Sequence, residues 1–194
     1  MTDQQQTTAP TEDIIDPGRP ICDPHHHLWD FAGSTYLLPE LLADTGSGHN
    51  IVSTVYVECM SMYRQAGDVA LRPLGETEFV NGVAAMMASG TYGPMRGCAG
   101  IVSFADLLLG ADVGQVLDQH MQLSSRFRGV RHASAFDTST AIRVSHSRPP
   151  QHMLSRDDFR EGFAELGKRD LVFDAWLYHH QINLILGFRA KRLH

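Results

Sequence analysis

The segment "DPHHHLWD", residues 23–30, decides the fold because three consecutive histidines close a strand-like run near the start of the chain. Side chains alternate between the two faces of a strand, so His25 and His27 point to one side and His26 to the other. Two imidazoles on one side can bind one divalent ion or two polar groups of one substrate. In a barrel of parallel strands, catalytic groups collect at this end of a strand.

Four further apolar runs follow along the chain. They are "IVSTVYVEC", "GCAGIVSFADL", "RFRGVRHA" and "DLVFDAWLY". Several are apolar on both faces, which is typical of strands covered on both sides. Helical periodicity occupies the intervals, in "GETEFVNGVAAMMASG", "DVGQVLDQHM" and "SRDDFREGFAELGKRD". The last of these begins with Ser155 and Asp158 at the spacing of a capping box. The alternation predicts an α/β protein with parallel strands, either an open doubly wound sheet or a (β/α)8 barrel.

Composition limits the class of ligand. The chain has 194 residues, 43% of them hydrophobic, and a formal net charge of -6, so it can bury a core but offers no basic surface to nucleic acid. Its three cysteines lie far apart beside apolar runs and are predicted to be buried, reduced thiols. No secretory signal or apolar run of about 20 residues is present. We expect a cytoplasmic protein that binds a small-molecule substrate, and neither nucleic acid nor membrane.

The composition also changes along the chain. Residues 1–18 are polar and rich in Gln, Thr, Asp and Pro, and they predict a flexible N-terminal segment. Residues 19–181 carry the strand and helix patterns and form the predicted barrel domain. Residues 182–194 are predicted to be an atypical tail, since "NLILGFRAKRLH" does not match the helix expected after the fifth strand.

Charged groups stand near the ends of the second and fourth runs. Glu58 follows "TVYV" and either orients a ligand or a histidine, or is an exposed strand-end carboxylate. The fourth run carries Arg128, Arg131 and His132. Strand parity separates the two arginines, so at most one of them is expected to face the interior. An inward arginine would hold a substrate carboxylate with its planar fork, whereas the alternative is a salt bridge on the outer face.

The fifth run ends in "DAWLYHHQ". Asp174, Trp176 and Tyr178 share one face of the predicted strand, and His179 begins the next loop. Tyr178 or His179 is predicted to contact a substrate, or else to pack against neighbouring groups.

With these residues in place, the chain resembles the amidohydrolase superfamily, specifically the amidohydrolase-related group that includes lactonases acting on sugar-acid and aromatic-derived lactones. The resemblance covers about residues 20–181. It rests on "CDPHHHLWD", "VYVEC", "GETEFVNGVAAM", "AGIVSFADL", "RFRGVRH" and "FDAWLYHHQ", in that order.

The resemblance implies a (β/α)8 barrel that hydrolyses an ester or amide with water activated at the barrel mouth. His25 and His27 would be the first-strand pair and would bind one divalent metal ion, zinc or similar, in a metal-dependent member. Some lactonases of the group use no metal, and in them arginine and histidine side chains, here His25, His27, Arg128 and Arg131, would stabilise the oxyanion. The substrate-binding residues would be Glu58, His132, Tyr178 and His179.

The departures from the family pattern carry a second expectation. The chain matches about five of the eight strands, and it ends at His194 before the family's sixth-strand histidine and eighth-strand aspartate, the general base. The sequence therefore predicts an incomplete barrel, truncated at its C-terminus, with open edges that would allow self-association. Three functions remain: a hydrolase that opens a small carboxylated lactone, a truncated, non-catalytic chain that is inactive or depends on a partner, and a module that uses the histidine-rich segment only to sequester a metal ion. Little turnover is expected from this chain alone.

Overall fold

The computed structural model describes residues 12–142 and 147–189, with the side chains of 186–189 excepted. The predicted flexible segment and tail therefore lie partly outside the described residues. The strands are β1 (Ile21–His26), β2 (Trp29–Phe31), β3 (Ser34–Tyr36), β4 (Ile51–Val57), β5 (Arg96–Ser103), β6 (Phe127–Val130) and β7 (Val172–Phe173). The α-helices are α1 (Leu38–Thr45), α2 (Leu74–Ala88), α3 (Val113–Leu123), α4 (Asp157–Lys168) and α5 (Ile182–Arg189).

The main sheet contains five parallel strands in the order β1-β4-β5-β6-β7. Strands β2 and β3 form a separate antiparallel hairpin. Each strand of the main sheet pairs with the next one along the chain, without the reversal of order that defines a doubly wound sheet. The sheet curls into half of a barrel, so the predicted fold, an incomplete (β/α)8 barrel with five parallel strands, is confirmed.

The core lies between the sheet and its helices in two clusters. The first joins the hairpin, α1 and α2 to the sheet and contains Leu28, Leu38, Leu41, Tyr56, Val80, Val83, Ala84, Met87, Cys98 and Ile101. The second joins α3 and α4 to the sheet and contains Ala105, Leu107, Val113, Val116, Leu117, Phe127, Val130, Met153, Leu154, Phe159, Leu166 and Leu171. The helices cover one face of the sheet. Side chains that alternate away from the helices therefore point to the opposite face.

Two local predictions are wrong. No capping box begins α4, because Ser155 belongs to a preceding 3-10 turn and the helix is preceded by Arg156, which has no side-chain capping bond. The chain after residue 181 forms helix α5 where the sequence predicted none. Leu184 and Ile185 pack against the second core cluster, and this tertiary contact outweighs the weak local pattern.

The three cysteines are unpaired. Cys98 is buried as predicted, whereas Cys22 is exposed, which corrects the expectation that all three are buried. Among the described residues, no helix is both long enough and apolar enough to cross a membrane.

Candidate active site

A cavity of about 350 Å³ opens where the sheet strands end. It is lined by His25, His27, Arg131, Asp174, Ala175 and Trp176. These residues follow or close β1, β6 and β7, so the cavity lies at the carboxyl ends of the parallel strands, where barrel enzymes place their catalytic groups. Its volume suits a small molecule.

The rings of His25 and His27 converge in this cavity. Their Nε2 atoms are 3.2 Å apart, and the two rings meet edge to face with centroids 4.9 Å apart. His26 points to the other side, where its Nε2 lies 2.9 Å from Thr54 Oγ1 in the buried layer. The three rings therefore lie as the alternation of "HHH" predicted, with His25 and His27 on one side and His26 on the other.

His27 is fixed in a defined tautomer by the next strand. Its Nδ1 lies 2.7 Å from the carbonyl oxygen of Val57, so Nδ1 carries the proton and donates it to this oxygen. The Nε2 atom then holds a lone pair directed at the cavity. Burial lowers the pKa of His27, the hydrogen bond to Val57 opposes this effect, and the charge of Arg131 lowers the pKa further. His27 is therefore a neutral base near pH 7.

Arg131 and Glu58 form a buried ion pair beside the histidines. Arg131 Nε donates to Glu58 Oε1 at 2.7 Å, and Nη2 donates to the carbonyl oxygen of the same glutamate. The side chains are 3% and 0% exposed. Glu58 is thus a buried partner of the arginine and not an exposed strand-end carboxylate. The pairing also occupies one edge of the guanidinium fork that the sequence had assigned to a substrate carboxylate.

The other end of the Arg131 guanidinium faces the cavity. Nη1 lies 3.4 Å from His25 Nε2, and the ring of Trp176 stacks under the guanidinium with its centroid 4.7 Å from Cζ. Arg131 is held from three sides, by Glu58, His25 and Trp176. Nη1 is the nitrogen of the group that lies next to His25 in the cavity lining.

The remaining predicted residues lie apart from this group. Arg128 is exposed on the uncovered face of β6, and its Nη1 donates to Ser125 O at 2.7 Å, toward the start of the strand. His132 is buried against Phe104, with its Nδ1 accepting from the backbone N–H of Leu107.

Tyr178 and His179 also do not line the cavity. Tyr178 stacks on His180, and His179 is exposed at the start of a 3-10 turn. The structure thus brings His25, His27, Glu58 and Arg131 together and leaves Arg128, His132, Tyr178 and His179 elsewhere.

The cavity residues Asp174, Ala175 and Trp176 are not among the site candidates predicted from the sequence. The sequence placed Asp174 and Trp176 on one face with Tyr178, but Tyr178 and His179 are the predicted site residues of this run. However, β7 ends at Phe173, so the chain leaves the strand before Tyr178. Asp174 and Trp176 follow the end of β7 directly, and this position is the signal by which sequence analysis could have identified them as site residues.

The histidine pair fits part of a zinc site. Two imidazole nitrogens on one tetrahedral zinc lie roughly 3.3 Å apart, and the Nε2 atoms of His25 and His27 are separated by 3.2 Å. The bond from His27 Nδ1 to Val57 O is the outer contact that such ligands make. Among the described residues, however, no group of three or more His, Cys, Asp or Glu side chains could hold a metal ion. The described residues thus offer two imidazole nitrogens at a suitable separation, but not a complete metal site.

The chain is similar in sequence to a protein of Sinorhizobium fredii. The chain is 31% identical to the uncharacterized protein y4mH of Sinorhizobium fredii, in a match that covers 86% of this chain and 56% of that protein. No protein-family model matches the chain.

Two solved structures share the fold. An amidohydrolase from Burkholderia multivorans with bound zinc has a TM-score of 0.57 and 20% identity, covering 88% of this chain and 53% of that one. A second structure of an amidohydrolase from Burkholderia multivorans, with bound HEPES, has a TM-score of 0.53 and 18% identity, covering 89% and 53%. This chain spans about half the length of the proteins that it matches. The fold that the sequence resemblance implied, part of a (β/α)8 barrel, is confirmed.

Proposed function

We propose that this protein is a hydrolase of the amidohydrolase type that opens a small, carboxylated lactone by attack of water at the barrel mouth. One observation carries the proposal: two imidazole Nε2 atoms and one guanidinium nitrogen converge on a cavity at the strand ends. The shared fold with amidohydrolases supports it.

His27 is the base in this proposal. Its Nε2 lone pair takes a proton from water while the water oxygen bonds to the lactone carbonyl carbon. The ring C–O bond then breaks, and the proton passes from His27 to the ring oxygen, which leaves a hydroxy acid. The low pKa of His27 keeps the ring neutral and able to accept that proton near pH 7.

Arg131 provides the positive charge for the carbonyl oxygen. Nη1 is directed to the cavity while Glu58 and Trp176 hold the rest of the guanidinium, so this donor does not have to reorganise as negative charge develops. With Nε and Nη2 bound to Glu58 and Nη1 assigned to the carbonyl oxygen, Arg131 has no pair of donors left for a substrate carboxylate.

The test is lactone opening by the purified chain, followed with a pH indicator on sugar-acid and aromatic-derived lactones. Wild type is expected to open one class above the buffer rate, and His27→Asn and Arg131→Met are expected to lose that activity. We expect the rate to be low, because the lowered pKa of His27 makes it a weak base. His152→Ala changes an exposed histidine outside the cavity and is the matched control.

A binding experiment separates recognition from chemistry. Calorimetry with a lactam analogue of the best lactone is expected to show binding by wild type and a loss of affinity in Arg131→Met. Binding without any turnover would contradict the hydrolase proposal for this chain. Turnover that His27→Asn leaves intact would remove the role of His27.

As an alternative to the role of His27 as the base, we propose that His25 and His27 contribute two ligands to a zinc or similar divalent site. The tautomer of His27 directs a lone pair at the cavity, and a lone pair on His25 Nε2 would accept from Arg131. Two such lone pairs, 3.2 Å apart, repel each other unless a proton or a cation lies between them. The nearby guanidinium charge opposes a cation, so the expected affinity is modest.

Titration calorimetry with zinc chloride tests this site. Binding that is lost in both His25→Ala and His27→Ala, and kept in the exposed control His49→Ala, is the expected result. Heat that survives in His25→Ala would assign the binding to other groups. Absence of heat in wild type would favour the shared proton and a reaction that uses no metal.

A further inference from the structure

A second buried carboxylate lies under the candidate active site. Glu76, in the first turn of α2, is 0% exposed. Its Oε1 accepts three hydrogen bonds, from Tyr56 OH at 2.7 Å, from the backbone N–H of Cys59 at 2.9 Å and from that of Ser61 at 3.0 Å. All three donors belong to β4 or to the segment directly after it.

One of these bonds connects Glu76 with the arginine of the site. The N–H of Cys59 and the carbonyl of Glu58 belong to the same peptide unit. Glu76 accepts from the N–H end of this peptide, and Arg131 Nη2 donates to its C=O end. The other terminal nitrogen, Nη1, then faces His25 Nε2 at 3.4 Å. A continuous path of polar contacts therefore runs from Glu76 through one peptide to Arg131 and His25, and hydrogen bonds in such a path strengthen one another.

The segment that Glu76 holds has an unfavourable backbone. Met60 and Met62 have φ angles of 65° and 55°, in the left-handed region that side chains other than glycine rarely adopt. The segment also lies directly against α2, where a Cβ on Gly75 would be 2.4 Å from the carbonyl oxygen of Met62. Such a backbone persists only where surrounding contacts determine it, and the Glu76 carboxylate supplies two of them.

Glu76 is not explained by packing alone. Its second oxygen, Oε2, is buried and has no hydrogen-bond partner among the described residues, as is also true of the nearby Tyr63 hydroxyl. A buried acceptor without a partner lowers stability, so an apolar side chain would serve packing better. The carboxylate makes its polar contacts through Oε1, with the strand and segment that carry Glu58.

We propose that Glu76 is a positioning residue of the candidate active site: by accepting hydrogen bonds from Cys59 and Ser61 it fixes the peptide after Glu58 and so holds Arg131 against His25. The inference rests on the proposed function for its catalytic consequence. The arrangement of Arg131 and His25 can be measured whether or not the chain opens a lactone.

The test compares Glu76→Gln, which keeps a carbonyl acceptor, with Glu76→Met, which keeps the volume and removes the acceptor. The control is Glu78→Gln, on the same helix, where Glu78 forms an exposed pair with Arg64. The measurements are the 15N resonance of His25 Nε2, a thermal melt, and kcat and KM for the lactone that wild type opens.

Positioning predicts a graded response. At pH 8, where Glu76 has lost its proton, the His25 resonance is expected to move slightly in Glu76→Gln and further in Glu76→Met, because a neutral amide accepts less strongly than a carboxylate. In Glu76→Met kcat is expected to fall about tenfold or more, with KM changing by about twofold or less. Glu78→Gln is expected to match wild type in all three measurements.

The opposing results are distinct. If Glu76→Met melts cooperatively and leaves the His25 resonance in place, the proposal is overturned and the role of Glu76 is structural. If Glu76→Met does not fold, Glu76→Gln decides: the amide protons of Cys59 and Ser61 shift upfield, and a His25 resonance that does not move with them overturns the proposal. If wild type opens no lactone, the proposed function fails, whereas the resonance still tests the positioning.

Discussion

Arg131 and Glu58 form an ion pair withdrawn from solvent, with Nε and Oε1 2.7 Å apart and side chains 3% and 0% exposed. The pair joins the ends of β4 and β6 across β5, which lies between them in the sheet. Both side chains are almost fully buried, so each charge depends on the other for its stabilisation. The pair therefore fixes both the mouth of the half-barrel and the direction of the arginine.

Removing one partner of this pair is expected to destabilise the fold strongly. Glu58→Gln leaves the Arg131 charge buried without its counter-ion, so the free energy of unfolding should fall by about 3–5 kcal/mol. Urea unfolding at pH 7 measures the change. Glu78→Gln breaks an exposed pair with Arg64 and should cost about 1 kcal/mol or less. If the loss of unfolding free energy in the double variant equals the sum of the losses in Glu58→Gln and Arg131→Met, the two groups are not coupled as described.

Two helical glycines are expected to respond oppositely to the same substitution. A Cβ on Gly162 would lie 2.2 Å from the carbonyl oxygen of Leu107, because α4 crosses that backbone closely. A Cβ on Gly82, in α2, has no atom within 4 Å. Gly162→Ala should therefore destabilise the chain, whereas Gly82→Ala should stabilise it by about 0.5–1 kcal/mol through helix propensity.

Thermal and urea unfolding of both variants check this prediction. A stable Gly162→Ala protein would show that α4 can move away from Leu107. It would thereby contradict the close approach of these two elements.

Strand periodicity was sufficient to predict part of the site. The alternation of "HHH" placed His25 and His27 on one side, and they do converge. The same reasoning could not choose between Arg128 and Arg131, because Arg131 lies past the end of β6 at Val130, where parity no longer applies. Arg131 turns to a glutamate 73 residues earlier in the chain, and this partner depends on the register of three strands.

Long-range packing explains the other differences between sequence and structure. Periodicity extended the fifth strand as far as Tyr178, but only Val172–Phe173 pairs with β6. Helix α5 depends on contacts of Leu184 and Ile185 with the core, which local sequence does not show. Glu76 stood inside a segment predicted to be a helix, and no local pattern indicates that its carboxylate is buried under another strand.

Glu76 is expected to make the stability of the chain fall as pH rises through the weakly acidic range. Burial raises the pKa of Glu76 to about 7, and the neighbouring Glu58 carboxylate adds to the rise, against the hydrogen bonds from Cys59 and Tyr56. The unfolded chain loses this proton near pH 4.5, whereas the folded chain keeps it to about pH 7. Between these values the folded state binds one proton more, so the free energy of unfolding declines with pH, by up to on the order of 3 kcal/mol.

Buried histidines produce the opposite slope and must be separated from Glu76. Burial lowers the pKa of both His26 and His120 to about 4, so their contribution is complete above pH 6.5 and is lost as pH falls toward 4. The difference between Glu76→Gln and wild type cancels these terms. Urea unfolding from pH 4.5 to 7.5 should show Glu76→Gln gaining stability relative to wild type as pH rises. A constant difference would contradict a protonated Glu76 in the folded state.

We propose, finally, that the chain associates with itself through the open edges of its sheet. Strands β1 and β7 are the outermost strands of the five, and Val172 in β7 is 56% exposed. An unpaired strand edge with an apolar side chain is a template for pairing with another chain, and a charge there prevents it. Light scattering coupled to size-exclusion chromatography should show that the molar mass of the wild-type protein rises with protein concentration. Val172→Lys should instead elute as a monomer. Val69→Lys, at a position 71% exposed outside the sheet, is the matched control and should behave as wild type. A wild-type chain that stays monomeric at every concentration, or a control that dissociates equally, would exclude association through this edge.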